Sequence, residues 1–245
     1  MGMIDNGNRF IDRRLVDNRL ADNSVIDNRE YFLSNALPFW DRLTEEHRDM
    51  IANRIRYYKC TKNQNLDDLL KENPGMMIVC RGRIRVYISS TERDITLYRI
   101  KECEVFGMSI PGTQYDVFEA LNVEADRDSE IFIIPAEVCV AISSKNCEWQ
   151  MFAQAKMAQR LSSTIDLIFD YAFTDLRKRL ANTLLHYYDS ESSAAAEVTH
   201  EMLAKDLGTA REVISRTLKQ FEKQGFIQLS RGSIAIIDAD GLQDL

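Results

Sequence analysis

The stretch from Val198 to Gly225 limits the fold of this chain more than any other part of it. Thr199 has the side chain of a helix N-cap, and Leu203, Ala204 and Leu207 follow at the spacing of one buried helical face. Gly208 supplies a tight turn, after which Ile214, Leu218 and Phe221 form the buried face of a second helix. Two short helices joined in this way are a helix-turn-helix. The small residue at 204, the glycine at 208 and the aliphatic at 214 suit helices that cross closely. The outward face of the second helix is left with Arg211, Glu212, Ser215, Arg216, Lys219 and Lys223.

Charge makes that face informative. The chain has 31 Lys and Arg against 38 Asp and Glu, a formal charge of −7, which excludes general attraction to nucleic acid. Between Ala210 and Gln224 the balance reverses, with four cations against two carboxylates, so any DNA binding belongs to this local face. Arg211, Glu212, Ser215 and Arg216 lie in the first turns of the second helix, the part that enters a major groove. Arginine matches guanine O6 and N7, glutamate matches the amino group of cytosine, and Lys219 and Lys223 lie further along, where phosphates are met. Thr209 opens the same helix and is grouped with this DNA face. With Glu212 it also has the spacing of a capping box, so Glu212 has a second reading as a partner of the helix-start amides. Phe226 to Ile237 then reads as two short strands around Ser230, Arg231 and Gly232, the hairpin called a wing.

Upstream the periodicity changes twice. Met76 to Cys80, Arg83 to Ile88, Ile95 to Ile100 and Ile131 to Ile134 are short β-rich runs between turn-prone residues, which predicts a small antiparallel roll or barrel after a helix around Leu43 to Ile55. Beyond Pro135 the pattern is helical, with Met151, Ala155, Ala158, Leu161, Ile165 and Ile168 on one seam that continues to Ala172. Such a seam either packs along an identical partner helix or lies on its own domain. A further helix is expected from Asp175 to Tyr188, with a loop from 189 to 196.

Residues 1–30 carry four pentads that each open with a small apolar residue followed by Asp, a period that fits neither helix nor strand. They read as a solvated polar extension. The 45% hydrophobic and 28% charged composition, with 10 Gly and 4 Pro, describes a folded chain and excludes global disorder. Cys60, Cys80, Cys103, Cys139 and Cys147 contain no C-x-x-C spacing and read as reduced thiols. No apolar run approaches the roughly 18 residues of a membrane span, so a cytoplasmic location without a membrane partner is expected. No metal-ligand or catalytic constellation is present in the sequence, so no enzyme activity, metal or cofactor is expected.

From about Leu37 the order of these features resembles the bacterial transcription regulators of the cyclic-AMP receptor and fumarate-nitrate regulator (Crp/Fnr) family. The residues that carry the resemblance are Ile95 to Ile100 followed by Val105-Phe-Gly107, Asp128 to Pro135, Lys156 to Leu161, Arg177 to Leu185, and the Arg-Glu-x-x-x-Arg pattern from Arg211 to Arg216. The resemblance implies an α+β chain. Its expected parts are the extension (1–30), an antiparallel, cyclic-nucleotide-binding-like jelly roll that senses an effector (31–143), a dimerisation helix (144–172) and a winged-helix DNA-binding domain (173–245). It further implies a homodimer joined by the Met151 to Ile168 seam and a palindromic double-stranded DNA site. Glu212 and Arg216 would read TGA/TCA-like half-site cores, and RNA polymerase would be a further partner.

The resemblance departs from a cyclic-nucleotide pocket. Met108 stands where the family places a ribose-binding Glu, and Glu119 stands near the phosphate-binding Arg, where an acid repels phosphate. Residues 1–59 hold no cysteine for an iron–sulfur cluster, and His47, His186 and His200 lie on predicted helices outside the roll, which leaves haem unsupported. Cys103 and Cys147 read either as a thiol switch or as plain small residues. The remaining expectation is an unidentified small-molecule effector lined by Tyr98, Phe106, Tyr115, Phe118, Leu161 and Thr164, aromatics that equally suit a core. A regulatory or scaffold protein of this fold that binds ligand or protein without reading DNA is the alternative.

Overall fold

The computed structural model describes residues 24–91, 93–107, 121–191, 198–230 and 233–245. These fall into two compact units. One takes in the described residues of Met1–Arg85, Arg99–Glu119 and Val123–Gln154, the other those of Val86–Tyr98, Ala120–Asn122 and Ala155–Leu245.

The first unit is built on a four-stranded antiparallel sheet in the order β1-β7-β2-β5, formed by β1 (Arg56–Cys60), β2 (Gly75–Arg81), β5 (Val105–Phe106) and β7 (Ser129–Pro135). β7 reads as a nearly continuous apolar run because its side chains are buried on both faces, and it is paired on both edges, Ile133 facing Arg56 on one side and Met77 on the other. A second sheet has the order β4-β3-β6, with β3 (Ile84–Ser89), β4 (Asp94–Ile100) and β6 (Asn122–Ala125). Both sheets are assembled from the short β-rich runs of the sequence.

Three helices pack on the four-stranded sheet. α3 (Glu45–Arg54) starts where Thr44 Oγ1 accepts from the His47 amide, with Glu45 and Glu46 in an acidic first turn. α5 (Ala136–Ser143) follows directly on Pro135, and α6 (Cys147–Phe173) begins with Trp149 fully buried against Phe39, the rings edge to face at 5.6 Å.

The N-terminal boundary differs from the sequence expectation. α1 (Ser24–Asp27) and α2 (Arg29–Ala36) lie partly inside the supposed solvated pentads, and Val25 is buried in the same core as Phe32 and Leu33. From Ser24 the chain is helical because Val25, the last residue of the third pentad, finds a core, while Ile26 of the fourth stays exposed. Residues 1–23, and with them the first two pentads, lie outside the described residues.

The core of the second unit joins α7 (Leu176–Glu191), α8 (His200–Asp206), α9 (Arg211–Lys223), the hairpin β8 (Ile227–Ser230) and β9 (Ser233–Ile236), and α10 (Ala239–Gln243). α7 runs to Glu191, past the start of the loop expected at 189. Leu180, Leu203, Ile214, Leu218 and Phe221 are all fully buried. Among the described residues no helix is long and apolar enough to cross a membrane.

Candidate nucleic-acid interface

α8 opens as its sequence predicts, with Thr199 Oγ1 accepting from the Met202 amide at 3.1 Å. Its end is set by Gly208, whose φ of +56° is the left-handed turn that stops the helix. A side chain there is excluded twice over, since an added Cβ would lie 2.6 Å from the Tyr171 hydroxyl and 2.7 Å from Ile95. The turn is held from outside as well. In the β3–β4 hairpin, Arg93 Nη1 donates to the Gly208 carbonyl at 2.9 Å and the Thr96 hydroxyl donates to Asp206 Oδ1 at 2.9 Å. The other carboxylate oxygen of Asp206 accepts from the Tyr187 hydroxyl at 2.7 Å.

After this turn α9 begins one residue later than the Thr209–Glu212 spacing predicts. Ala210 is the N-cap, with no side-chain hydrogen bond, while the Thr209 amide is spent on the Ala204 carbonyl at 3.0 Å. The capping-box reading of Glu212 is therefore corrected. The left-handed Gly208 turn uses up the residue that would have been the cap, and Thr209 sits half-buried behind the helix start. Glu212 is left exposed on the outer face.

That face is a single surface. Arg211, Glu212, Ser215, Arg216 and Lys219 line one open depression on α9, while Ile214, Leu218 and Phe221 fill the core behind it. Lys223 is exposed in the last turn, beyond the depression. Near the far end of α9, Glu222 accepts from the Leu229 amide of the wing at 2.8 Å, which fixes the hairpin to the helix. One more side chain reaches the face, and sequence spacing did not single it out. His200 Nδ1 lies 2.9 Å from Ser215 Oγ, fifteen residues away. Burial first, then the cationic Arg211 and Lys219, hold this imidazole below its ordinary pKa.

The apolar seam of α6 is exposed in the single chain. Met151, Ala155, Ala158, Leu161, Ile165 and Ile168 all face solvent, and Phe169 and Phe173 extend the seam with their rings 4.9 Å apart. The two phenylalanines continue the four-residue step from Ile165, a signal the sequence already contained.

Of the six effector candidates, four lie among the described residues. Phe106 is buried in β5 of the first unit. In the second unit, Arg160 stacks on the Tyr98 ring at 4.3 Å, Thr164 bonds back to the Arg160 carbonyl, and Leu161 is exposed. Tyr115 and Phe118 lie outside the described residues, as do Met108 and Glu119.

The roll's inner cations are already compensated. Arg85, fully buried, pairs with Glu124 at 2.8 Å, and Arg83 and Arg99 share Asp126 at 2.5 and 3.0 Å. Burial alone would raise the Asp126 pKa, but Arg99 and Arg83 outweigh it and hold the carboxyl below its ordinary value. Cys60, Cys80 and Cys139 are buried. Cys103 is partly buried with its thiol pKa raised by burial and by Glu102, and Cys147 is exposed.

Residues 178–245 match the Crp-like helix-turn-helix domain family. The chain is 31% identical over 93 residues to a CRP-like cAMP-activated global transcriptional regulator of Mycobacterium tuberculosis, a match covering 35% of this chain and 42% of that protein. It thus spans less than half the length of that relative. It is 26% identical over 176 residues to the cyclic AMP receptor protein of Thermus thermophilus, covering 70% and 79% of the two chains. Among solved structures, a transcriptional regulator of the crp/fnr family from Eubacterium rectale superposes with a TM-score of 0.74 at 30% identity, over 86% of this chain and all of that one.

Proposed function

The chain belongs to the Crp/Fnr family of transcriptional regulators, and from that membership we propose that it is a homodimer that reads a palindromic duplex and whose roll senses a small-molecule or redox signal other than a cyclic nucleotide. The observation that carries DNA reading is the α9 face. In a chain of net charge −7, Arg211, Arg216 and Lys219 converge on one depression with Glu212 and Ser215 between them. That is the mixture of guanidinium, carboxylate and hydroxyl that distinguishes base edges, whereas a purely electrostatic surface carries cations alone.

Two-fold symmetry is supported by the α6 seam. Eight apolar or small side chains exposed on one face of a 27-residue helix fit a second copy of the same helix, which makes each subunit present its α9 to one half of a palindrome. Sensing of something other than a cyclic nucleotide is supported by Met108 and Glu119 in the sequence. It is also supported by the pairing of Arg83, Arg85 and Arg99 with the chain's own carboxylates, which leaves an incoming phosphate to displace an existing ion pair. RNA polymerase is a further partner in this reading.

Selection from a randomised duplex library with the purified protein tests it. The expected product is a two-fold symmetric site with TGA/TCA-like half-site cores, bound with a steep salt dependence. Binding without sequence enrichment, or none, overturns the proposal in favour of a fold kept for ligand or protein binding. In parallel, cyclic AMP and cyclic GMP should leave the melting temperature unchanged, since only a ligand of the native state raises it.

A further inference from the structure

His200 begins α8 and Ser215 lies on the second turn of α9, so their contact ties the two helices of the motif together at the DNA-facing surface. A serine hydroxyl has one proton to give and two lone pairs with which to accept. Ser215 Oγ lies 2.8 Å from the Arg211 carbonyl, a group that can only accept, so the hydroxyl proton goes there. With that proton committed, the 2.9 Å contact to His200 is made by Nδ1–H donating to Oγ, and Nε2 is left as the second nitrogen. One lone pair of Oγ takes the histidine proton. The other remains for a ligand.

We propose that His200 is a positioning residue for base reading. It locks Ser215 with its proton turned into the helix, so that the oxygen shown to DNA is an acceptor and selects a base with an exocyclic amino group in the major groove, adenine or cytosine. Guanine O6 and N7 and thymine O4 are themselves acceptors at that edge and are rejected by lone-pair repulsion. Without the imidazole, the Arg211 carbonyl alone competes for the hydroxyl proton, and the side chain can turn to another staggered position where it donates to a base acceptor, so discrimination at that base pair is lost. This inference rests on the DNA-reading role of α9 and adds to it a residue outside the recognition helix.

The same geometry gives the arrangement a pH signature. The charges that face His200 from α9 are Arg211 and Lys219, and its own helix carries Glu201 beside it and Lys205 beyond. Protonation at Nε2 leaves the Nδ1–H to Ser215 bond in place and adds a third cation beside those two. In the free protein this is opposed by burial and by Arg211 and Lys219, and a bound phosphodiester backbone supplies the opposite charge. DNA binding therefore raises the pKa and takes up a proton, and affinity rises as pH falls. Each unit of such a shift corresponds to about tenfold in affinity.

The test compares the wild type with His200→Phe and His200→Gln. Sites are selected from a randomised duplex library, and affinity for the selected site is measured from pH 7.5 to 5.5. The wild type should prefer adenine or cytosine at one position of each half-site and bind several-fold more tightly at the acid end. His200→Phe, which lacks a donor, should lose both properties. His200→Gln keeps an N–H for Ser215 without a titrating charge, so it should retain the base preference and lose the pH slope. Ser215→Ala should lose the preference and keep the slope. If His200→Phe, melting like the wild type, or His200→Gln shows an unaltered pH slope, or if His200→Phe keeps the base preference, the role of His200 is overturned while DNA reading by α9 stands. If the wild type selects no site, the underlying DNA-reading role fails and this inference fails with it.

Discussion

α6 and α9 are both helices with one face left open, and the two faces differ in kind. On α9 the apolar residues Ile214, Leu218 and Phe221 are fully buried and the open face is charged, whereas on α6 the open face is apolar, with Leu161 and Ile168 each 62% and Phe173 76% exposed in the single chain. An exposed charged face is satisfied by water until a polyanion displaces its counterions. An exposed apolar face of this length is unfavourable in water and is stabilised by an apolar partner. The chemistry of what a helix leaves uncovered thus narrows the kind of partner it suits, a polyanion for one and an apolar surface for the other, which the proposed function identifies as DNA and a second copy of the chain.

The contrast breaks most visibly if charge is moved onto the apolar face. Replacing Ile165 and Ile168 together with Glu puts like charges across a two-fold axis, and sedimentation should report a monomer. Affinity for a palindromic site should fall by on the order of 100-fold as the second half-site contact becomes intermolecular. An unchanged dimer would show that another face is used.

Truncation separates the two helices by a second criterion. Leu218→Ala empties a filled core and should cost about 2–5 kcal/mol of folding stability at any protein concentration. Leu161→Ala should lower the melting temperature only as far as the dimer is weakened, so its effect shrinks as concentration is raised. Equal, concentration-independent losses at both positions would erase the distinction.

Smaller effects are expected on the charged face. Arg216→Ala should cost about 1–3 kcal/mol per half-site and relax preference at a guanine, read by competition among single-base variants of the selected site. Lys219→Ala should weaken all sequences alike, by about 1 kcal/mol or less, and reduce the slope of log affinity against log salt by about one per subunit. A sequence-dependent loss at Lys219 would move it from phosphate contact to base reading.

The helix-turn-helix was legible because its determinants are local. A hydroxyl cap at Thr199, a left-handed Gly208 and an apolar repeat in α9 all act within a few residues of one another. The capping box at Thr209 misled for a related reason. The same turn glycine shifted the helix start by one residue, and spacing alone does not register a shift of that size. Long-range bonds left no mark in the sequence. Arg93 reaches the Gly208 carbonyl across 115 residues and Thr96 reaches Asp206 across 110, and nothing in the hairpin's alternating pattern points to either partner. His200 read only as a histidine outside the roll, because its importance lies in a hydroxyl fifteen positions away. Val25 was hidden by a period of five, which masks the single apolar residue per turn that a short helix needs to dock.

Asp206 serves two hydroxyls at once, Thr96 on one carboxylate oxygen and Tyr187 on the other. Such a residue is hard to replace by single steps. Asn keeps one acceptor oxygen and takes the carboxylate acceptor from one hydroxyl, while Ala takes it from both and leaves Thr96 on the longer contact to the Lys205 carbonyl at 3.5 Å. A substitution at 206 therefore becomes tolerable only in sequences where 96 and 187 have also changed, for instance to Val and Phe. Across divergent members of the lineage, positions 96, 187 and 206 should accordingly drift as a linked trio, and a phylogenetic record in which 206 varies while both hydroxyls persist would show that the carboxylate is dispensable.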